Sequence, residues 1–137
     1  MTHGAVLVDS TVILDVATED AAWGAWSADR LAALADEAVF LINPLVYAEV
    51  SIGFRRVEEV EDALPGDLFK RTALPYEAAF LAGKCFVDYR RRGGARTSPL
   101  PDFYIGAHAA VGEFRLLTRD ATRYRTYFPS VELIAPE

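Results

Sequence analysis

The sequence predicts an α/β domain built in three layers, α/β/α, around a mainly parallel central sheet. Three observations predict it. Short apolar runs, "AVLV", "VFLI" and "RLLT", recur along the chain. The first two are apolar at every position, as in strands covered on both faces. Between the runs lie longer stretches with helical spacing, several opened by proline. Strands alternating with helices argue for parallel pairing.

The elements follow in order. Ala5 to Val8 forms the first strand, and a helix starts near Thr11, capped by Asp9 or Ser10. Ala21 to Glu37 carries Trp23, Trp26, Leu31 and Leu34 at near-helical spacing. Val39 to Ile42 is the second strand. Pro44 opens a helix through about Phe54, since proline suits a first turn, and Arg56 to Leu64 continues as a short helix or turn. Pro75 opens a long helix from Tyr76 to about Arg92, ended by Gly93 and Gly94. Pro99 or Pro101 opens the next, to about Gly112. Arg115 to Thr118 is a third strand, Thr122 to Tyr127 a short helix, and Val131 to Ile134 a last strand. In such sheets sites gather at the carboxyl ends of the strands.

The 137 residues suit one domain, spanning 1–137. A chain of this length buries roughly two-thirds of its unfolded surface. The single cysteine, Cys85, excludes an internal disulfide and fits a reducing compartment. The N-terminal "MTHGAVLVD" lacks the basic start of a signal peptide. No run approaches the roughly 20 apolar residues of a bilayer span, so a soluble cytoplasmic protein without membrane contact is expected. The net charge of −6 argues against coating nucleic acid by bulk electrostatics. It leaves open a protein that cuts nucleic acid, because metal-binding acids count toward the total and bound cations do not.

Four acids stand in unusual places. Asp9 follows an apolar run and precedes two hydroxyls, Ser10 and Thr11. Glu49, in "PLVYAEVSIGF", has Leu45, Val46, Ile52 and Gly53 three and four residues away, a face expected to turn inward. Asp102, in "PLPDFYIGAHAAVG", has Ile105, Gly106 and Ala109 along its face, small residues expected to leave space beside the carboxylate. Asp120 follows "RLLT", and Thr118 reaches toward the same spot. Each has an ordinary alternative: Asp9 and Asp120 as helix caps, Glu49 as a partly exposed side chain, Asp102 as a first-turn acid favoured by the helix dipole. Taken together, parallel strands would bring Asp9 and Asp120 to one sheet edge, with Glu49 and Asp102 in first turns of helices starting there. Clustered carboxylates repel unless protonated or neutralised by cations. Oxygen donors without His or Cys suit Mg²⁺ or Mn²⁺.

Other polar residues read as structural. Asp15, beside Thr11, Thr18 and Glu19, is expected on a solvated face. His108 stands off the Asp102 face and Cys85 is expected as a small core residue. Glu77 is read as a helix-dipole partner. Trp23, Trp26, Phe80, Phe86 and Tyr89 are read as core or a partner surface. "RRRGGARTS", Arg90 to Ser98, is either a solvated helix end or a rim gripping phosphates near Asp102. Arg119, Arg123 and Arg125 extend that rim.

"VLVDSTVILDV", "NPLVYAEV", "PLPDFYIGAHA" and "LLTRDATRYRTYFPSVELIAP" resemble, in order and over nearly the whole chain, the acidic motifs of PIN-domain ribonucleases. The similarity is strongest to VapC-type toxins of toxin–antitoxin pairs. The resemblance implies Mg²⁺- or Mn²⁺-dependent cleavage of RNA by Asp9, Glu49, Asp102 and Asp120. We expect Asp9 and Asp102 to bind the metal directly, with Glu49 and Asp120 completing its shell or holding a second ion. Ser10 and Thr118 match assisting hydroxyls, and Arg91, Arg92, Arg96 and Arg119 are RNA-contact candidates. It further implies a homodimer and a cognate antitoxin. Two other enzymes fit less well: a haloacid-dehalogenase-type phosphatase wants an acid at Thr11, and a receiver domain wants an early acid pair and a late lysine. A PIN-fold interaction module without strong catalysis is the alternative from another class.

Overall fold

The computed structural model describes residues 4–136; the outermost residues of the 1–137 domain expectation lie outside the described residues. Five strands, β1 (Ala5–Val8), β2 (Val39–Ile42), β3 (Phe69–Arg71), β4 (Arg115–Leu117) and β5 (Leu133–Ile134), form one sheet in the order β3-β2-β1-β4-β5. All four pairings are parallel. Leu7 stands opposite Leu41 on one side and Leu116 on the other. Val6, Leu7 and Val8 are fully buried, which their apolar run demands of a central strand.

The helices are α1 (Ser10–Ala17), α2 (Gly24–Leu34), α3 (Pro44–Ile52), α4 (Val57–Ala63), α5 (Tyr76–Arg91), α6 (Pro101–Gly112) and α7 (Thr122–Tyr127). Connections from β1 to β3 cross the sheet one way; those from β3 to β5 cross it the other way. Right-handed crossovers then put the two sets of helices on opposite faces, giving the three layers. The direction of crossing reverses between β1 and β4, so the crevice beyond their carboxyl ends is the switch point where such sheets build sites. Among the described residues no helix is long and apolar enough to cross a membrane.

Several expected elements shift. α2 begins at Gly24 rather than Ala21 because the Asp20 carboxylate accepts from the Ala22 and Trp23 amides, closing a turn ahead of the helix. The last strand shrinks to Leu133–Ile134. β3 had no place in the sequence reading: it has three residues, and Lys70 and Arg71 are exposed on an edge strand. Phe69 anchors it, stacked on Phe40 of β2 at 5.9 Å between ring centroids. The space expected beside Gly106 is filled. A Cβ there would come within 2.3 Å of the Phe128 ring, so the glycine lets α6 seat against that ring.

Candidate active site

Asp9 leaves β1 directly into α1. It stands at the N-cap position with extended backbone, yet its side chain makes no capping bond. Instead Oδ2 accepts from Thr118 Oγ1 at 2.8 Å and from Thr11 Oγ1 at 3.2 Å. Thr118, fully buried, follows β4, and the Asp9 amide donates to the Leu117 carbonyl at 2.9 Å. Neighbouring parallel strands therefore deliver Asp9 and its hydroxyl donor to one point. The Asp9 carboxylate is 3 % exposed, and its Oδ1 is buried with no hydrogen-bond partner. Burial raises the Asp9 carboxyl to about 6, with Asp102 and Glu49 adding repulsion and the two threonine hydroxyls opposing.

Glu49 sits in the second turn of α3, one turn beyond the expected placement. Its face is mixed rather than inward: Val46 is fully buried while Ile52 is 85 % exposed. Ser10 Oγ donates to Glu49 Oε1 at 2.8 Å. Burial raises the Glu49 carboxyl, and Asp102 raises it further against the Ser10 bond.

Asp102 is in the first turn of α6, behind Pro101. Burial raises its carboxyl, opposed chiefly by the Arg123 guanidinium, whose Nη1 lies 3.3 Å from Oδ2. Tyr124 Oη donates to Asp102 Oδ1 at 3.5 Å. Asp120 is exposed, and its charge reaches Asp102. It does not cap α7, whose N-cap is Ala121; its backbone amide donates to Thr118 Oγ1 at 3.1 Å. Asp102, Asp120, Arg123, Tyr89 and Tyr127 line a cavity of about 300 Å³.

Asp9, Glu49 and Asp102 thus act on one another electrostatically, with Asp120 at the outer side of Asp102. Among the described residues no three acidic, histidine or cysteine side chains already close around a single point as a metal cage. Unneutralised carboxylates have reason to stand apart: Ser10 holds Glu49 and Arg123 holds Asp102, while Asp9 Oδ1 makes no hydrogen bond, although the Tyr124 hydroxyl lies close to the Asp9 carboxylate. The donor set, oxygen only with one orphaned buried carboxylate oxygen, fits a hard divalent cation.

Tyr124 escaped the sequence reading. Its hydroxyl is buried among Asp9, Asp102 and Glu49, which with burial hold it protonated far above the ordinary range. Its four-residue spacing to buried Phe128, which ends α7, is the signal the sequence offers.

Two further expectations are corrected. Asp15 is not solvated: it is 3 % exposed, accepts from Ser27 Oγ at 2.9 Å and pairs with Arg119 Nε at 3.1 Å. Arg119 accordingly points at Asp15 rather than standing free on a rim. Of the other arginines, Arg92 pairs with Asp88 at 3.0 Å and lies over Tyr127, a wall of the Asp102 cavity. Arg91 and Arg96 are exposed, with the Arg96 carbonyl accepting from Arg90. His108 is buried, and Asn43, which caps α3, bonds its Nδ1 at 3.0 Å.

The fold and these side chains together define an α/β protein with carboxylates gathered at a sheet switch point. The chain belongs to the PIN domain family, which residues 6–129 match. Among curated protein sequences nothing matches it. Solved structures share the fold at low identity. A chain of VapBC2 from Rickettsia felis, bound to a DNA fragment from their promoter, is 15% identical with a TM-score of 0.74, covering 97% of this chain and 99% of that one. A chain of FitAcB from Neisseria gonorrhoeae is 16% identical with a TM-score of 0.68, covering 94% and 96%. A chain of a toxin–antitoxin complex from Klebsiella pneumoniae is 17% identical with a TM-score of 0.70, covering 96% and 98%.

Proposed function

We propose that this PIN domain is a divalent-metal-dependent endoribonuclease and the toxin of a toxin–antitoxin pair, acting in the cytoplasm as a homodimer restrained by a cognate antitoxin. The observation that carries the reading is Asp9: a carboxylate buried at the switch point, facing Glu49 and Asp102, with one oxygen left without a protein donor. Burying such a group without a partner is costly unless a ligand completes it. The toxin role draws on the toxin–antitoxin complexes that share the fold.

Asp9 and Asp102 would hold Mg²⁺ or Mn²⁺, with Glu49 and Asp120 completing the shell. The ion would supply positive charge for activating a water and for the phosphate in the transition state. Thr118 and Thr11 orient Asp9, Ser10 orients Glu49, and Tyr124 steadies Asp102. Arg123, beside Asp102, offers a cation to a phosphate entering the cavity. Hydrolysis by water needs no 2′-hydroxyl and leaves 5′-phosphate and 3′-hydroxyl ends.

The test is cleavage of cellular RNA by the purified chain, with ends mapped by sequencing. Activity with Mg²⁺ or Mn²⁺, abolished by EDTA and by Asp9→Asn, is expected. Full cleavage by Asp9→Asn, or cleavage in EDTA, overturns the reading.

A further inference from the structure

A second buried acid, outside the set Asp9, Glu49, Asp102 and Asp120, stands on the same helix that Asp9 opens. Asp15 of α1 is 3 % exposed, and its carboxylate faces Ser27 of α2 and Arg119 of the β4–α7 connection. Arg119 grips it with both Nε and Nη2, at 3.1 Å to Oδ2 and 3.3 Å to Oδ1, across 104 positions of sequence. The guanidinium also lies 6.0 Å from the Trp23 ring centroid. An ion pair with a buried acid and a partly exposed base contributes only modestly to stability by itself. Its place in the chain suggests another purpose. Arg119 is flanked by Thr118, whose hydroxyl donates to Asp9 Oδ2, and by Asp120, whose backbone amide donates to that same hydroxyl. Consecutive residues thus take hold of two carboxylates of one segment: Thr118 holds Asp9 ahead of α1, and Arg119 holds Asp15 within it.

We propose that Asp15 and Arg119 are a positioning pair that locks the 118–120 turn onto α1, so that Thr118 keeps Asp9 oriented and Asp120 stays beside Asp102. This rests on the nuclease reading, and it gives Arg119 an inward task in place of RNA contact. Neither side chain is seen to hydrogen-bond any of the four site acids; Asp15 bonds Ser27 and Arg119. Partners of this indirect kind typically change metal affinity by about 10–100-fold when removed.

The test is Mg²⁺ titration of the full chain followed by NMR, comparing Asp15→Asn, Arg119→Met, the double variant and Arg119→Lys. Simple electrostatics predicts opposite effects: losing the Asp15 charge weakens cation binding and losing the Arg119 charge tightens it. Positioning predicts that both single variants bind Mg²⁺ about tenfold more weakly. The double variant should be no worse than either single, because the two side chains act as one unit. Arg119→Lys, which retains the charge and the fold, should recover part of the affinity. In the metal-free protein, the Thr118 and Asp120 amide resonances and the Asp9 carboxyl resonance should move in Asp15→Asn. Tighter binding by Arg119→Met, or affinities within twofold of wild type despite lower stability, overturns the pair. If the wild-type chain binds no Mg²⁺, the nuclease reading falls, and the metal-free resonances still decide: unmoved Thr118 and Asp9 signals overturn the positioning role.

Discussion

Thr118 Oγ1 donates to Asp9 Oδ2 at 2.8 Å across 109 positions of sequence. The contact exists because β1 and β4 are parallel neighbours in register, Val8 opposite Leu117, so the residues that follow each strand emerge together. A hydroxyl that accepts the Asp120 amide and donates to Asp9 joins the two sheet-end acids in one network. The second Asp9 oxygen takes no hydrogen bond.

Thr118→Val tests that bond. Valine keeps the buried volume and removes the donor. A hydrogen bond to a carboxylate stabilises its charged form, so the Asp9 carboxyl should titrate above its wild-type value of about 6 in the metal-free protein. The loss should cost about 1–3 kcal/mol of stability above that pH. Carbon-detected NMR of the side-chain carboxyl follows the midpoint, and an unchanged midpoint would show that Thr118 does not govern Asp9.

Asp9→Asn should stabilise the metal-free protein at neutral pH. The Asp9 carboxyl rises from 3.8 to about 6 on folding. The folded state therefore binds the proton more tightly than the unfolded state, and stability falls as pH rises from about 4 through 6. Above that window the charged group costs about 3 kcal/mol, at roughly 1.4 kcal/mol per tenfold change in proton affinity. Asn carries no such cost. Urea unfolding at pH 7.5 in EDTA should favour the variant, and Mg²⁺ should stabilise the wild type while leaving the variant nearly unchanged. A variant less stable than wild type at pH 7.5 would contradict the burial argument.

What the sequence discloses and conceals follows from locality. β1 and β2 are legible because central parallel strands must be apolar on both faces, and β4 from its buried pair Leu116 and Leu117. β3 is hidden because an edge strand carrying Lys70 and Arg71 looks like a loop. Asp9 is legible as unusual, yet a cap and a site acid share the same address after a strand. The partner that separates them, Thr118, comes from the far end of the chain. Asp15 misleads for the same reason: its helical neighbours Thr11, Thr18 and Glu19 are polar, and its counter-ion Arg119 is remote. Helical phase alone misjudges Glu49, because α3 is apolar around most of its circumference and Ile52 turns outward.

Arg123→Met should tighten Mg²⁺ binding while weakening cleavage. Arg123 sits 3.3 Å from Asp102 Oδ2 and is the main influence drawing that carboxyl down against burial. A divalent ion bound by Asp102 must share it with this guanidinium. A partly exposed pair of this kind contributes about 1 kcal/mol or less, so the gain in affinity should be at most about fivefold. Cleavage should fall because the cation beside the phosphate is gone. Calorimetry of Mg²⁺ binding and steady-state cleavage measure the two effects separately; weaker Mg²⁺ binding would remove Arg123 as a competitor.

Asn43→Asp should invert the pH dependence of stability near neutrality. Asn43 Oδ1 accepts from the Val46 amide at 3.0 Å and caps α3. Its amide nitrogen then faces His108 Nδ1, also at 3.0 Å, so the imidazole accepts there and is neutral. Burial holds His108 below its ordinary 6.5. In the wild type this group favours folding less as pH falls below about 6.5, where the unfolded state takes up the proton. Aspartate preserves the cap and places a carboxylate against the ring. The folded-state pKa of His108 then rises, and its contribution becomes favourable below 6.5 and is lost as pH climbs through the new value. Relative to wild type, the variant should be about 1–3 kcal/mol less stable at pH 8, where a buried carboxylate faces a neutral ring. It should recover most of that at pH 5.5. Urea midpoints at the two pH values decide it, and an equal loss at both would show that the His108 ring is not coupled to the α3 cap.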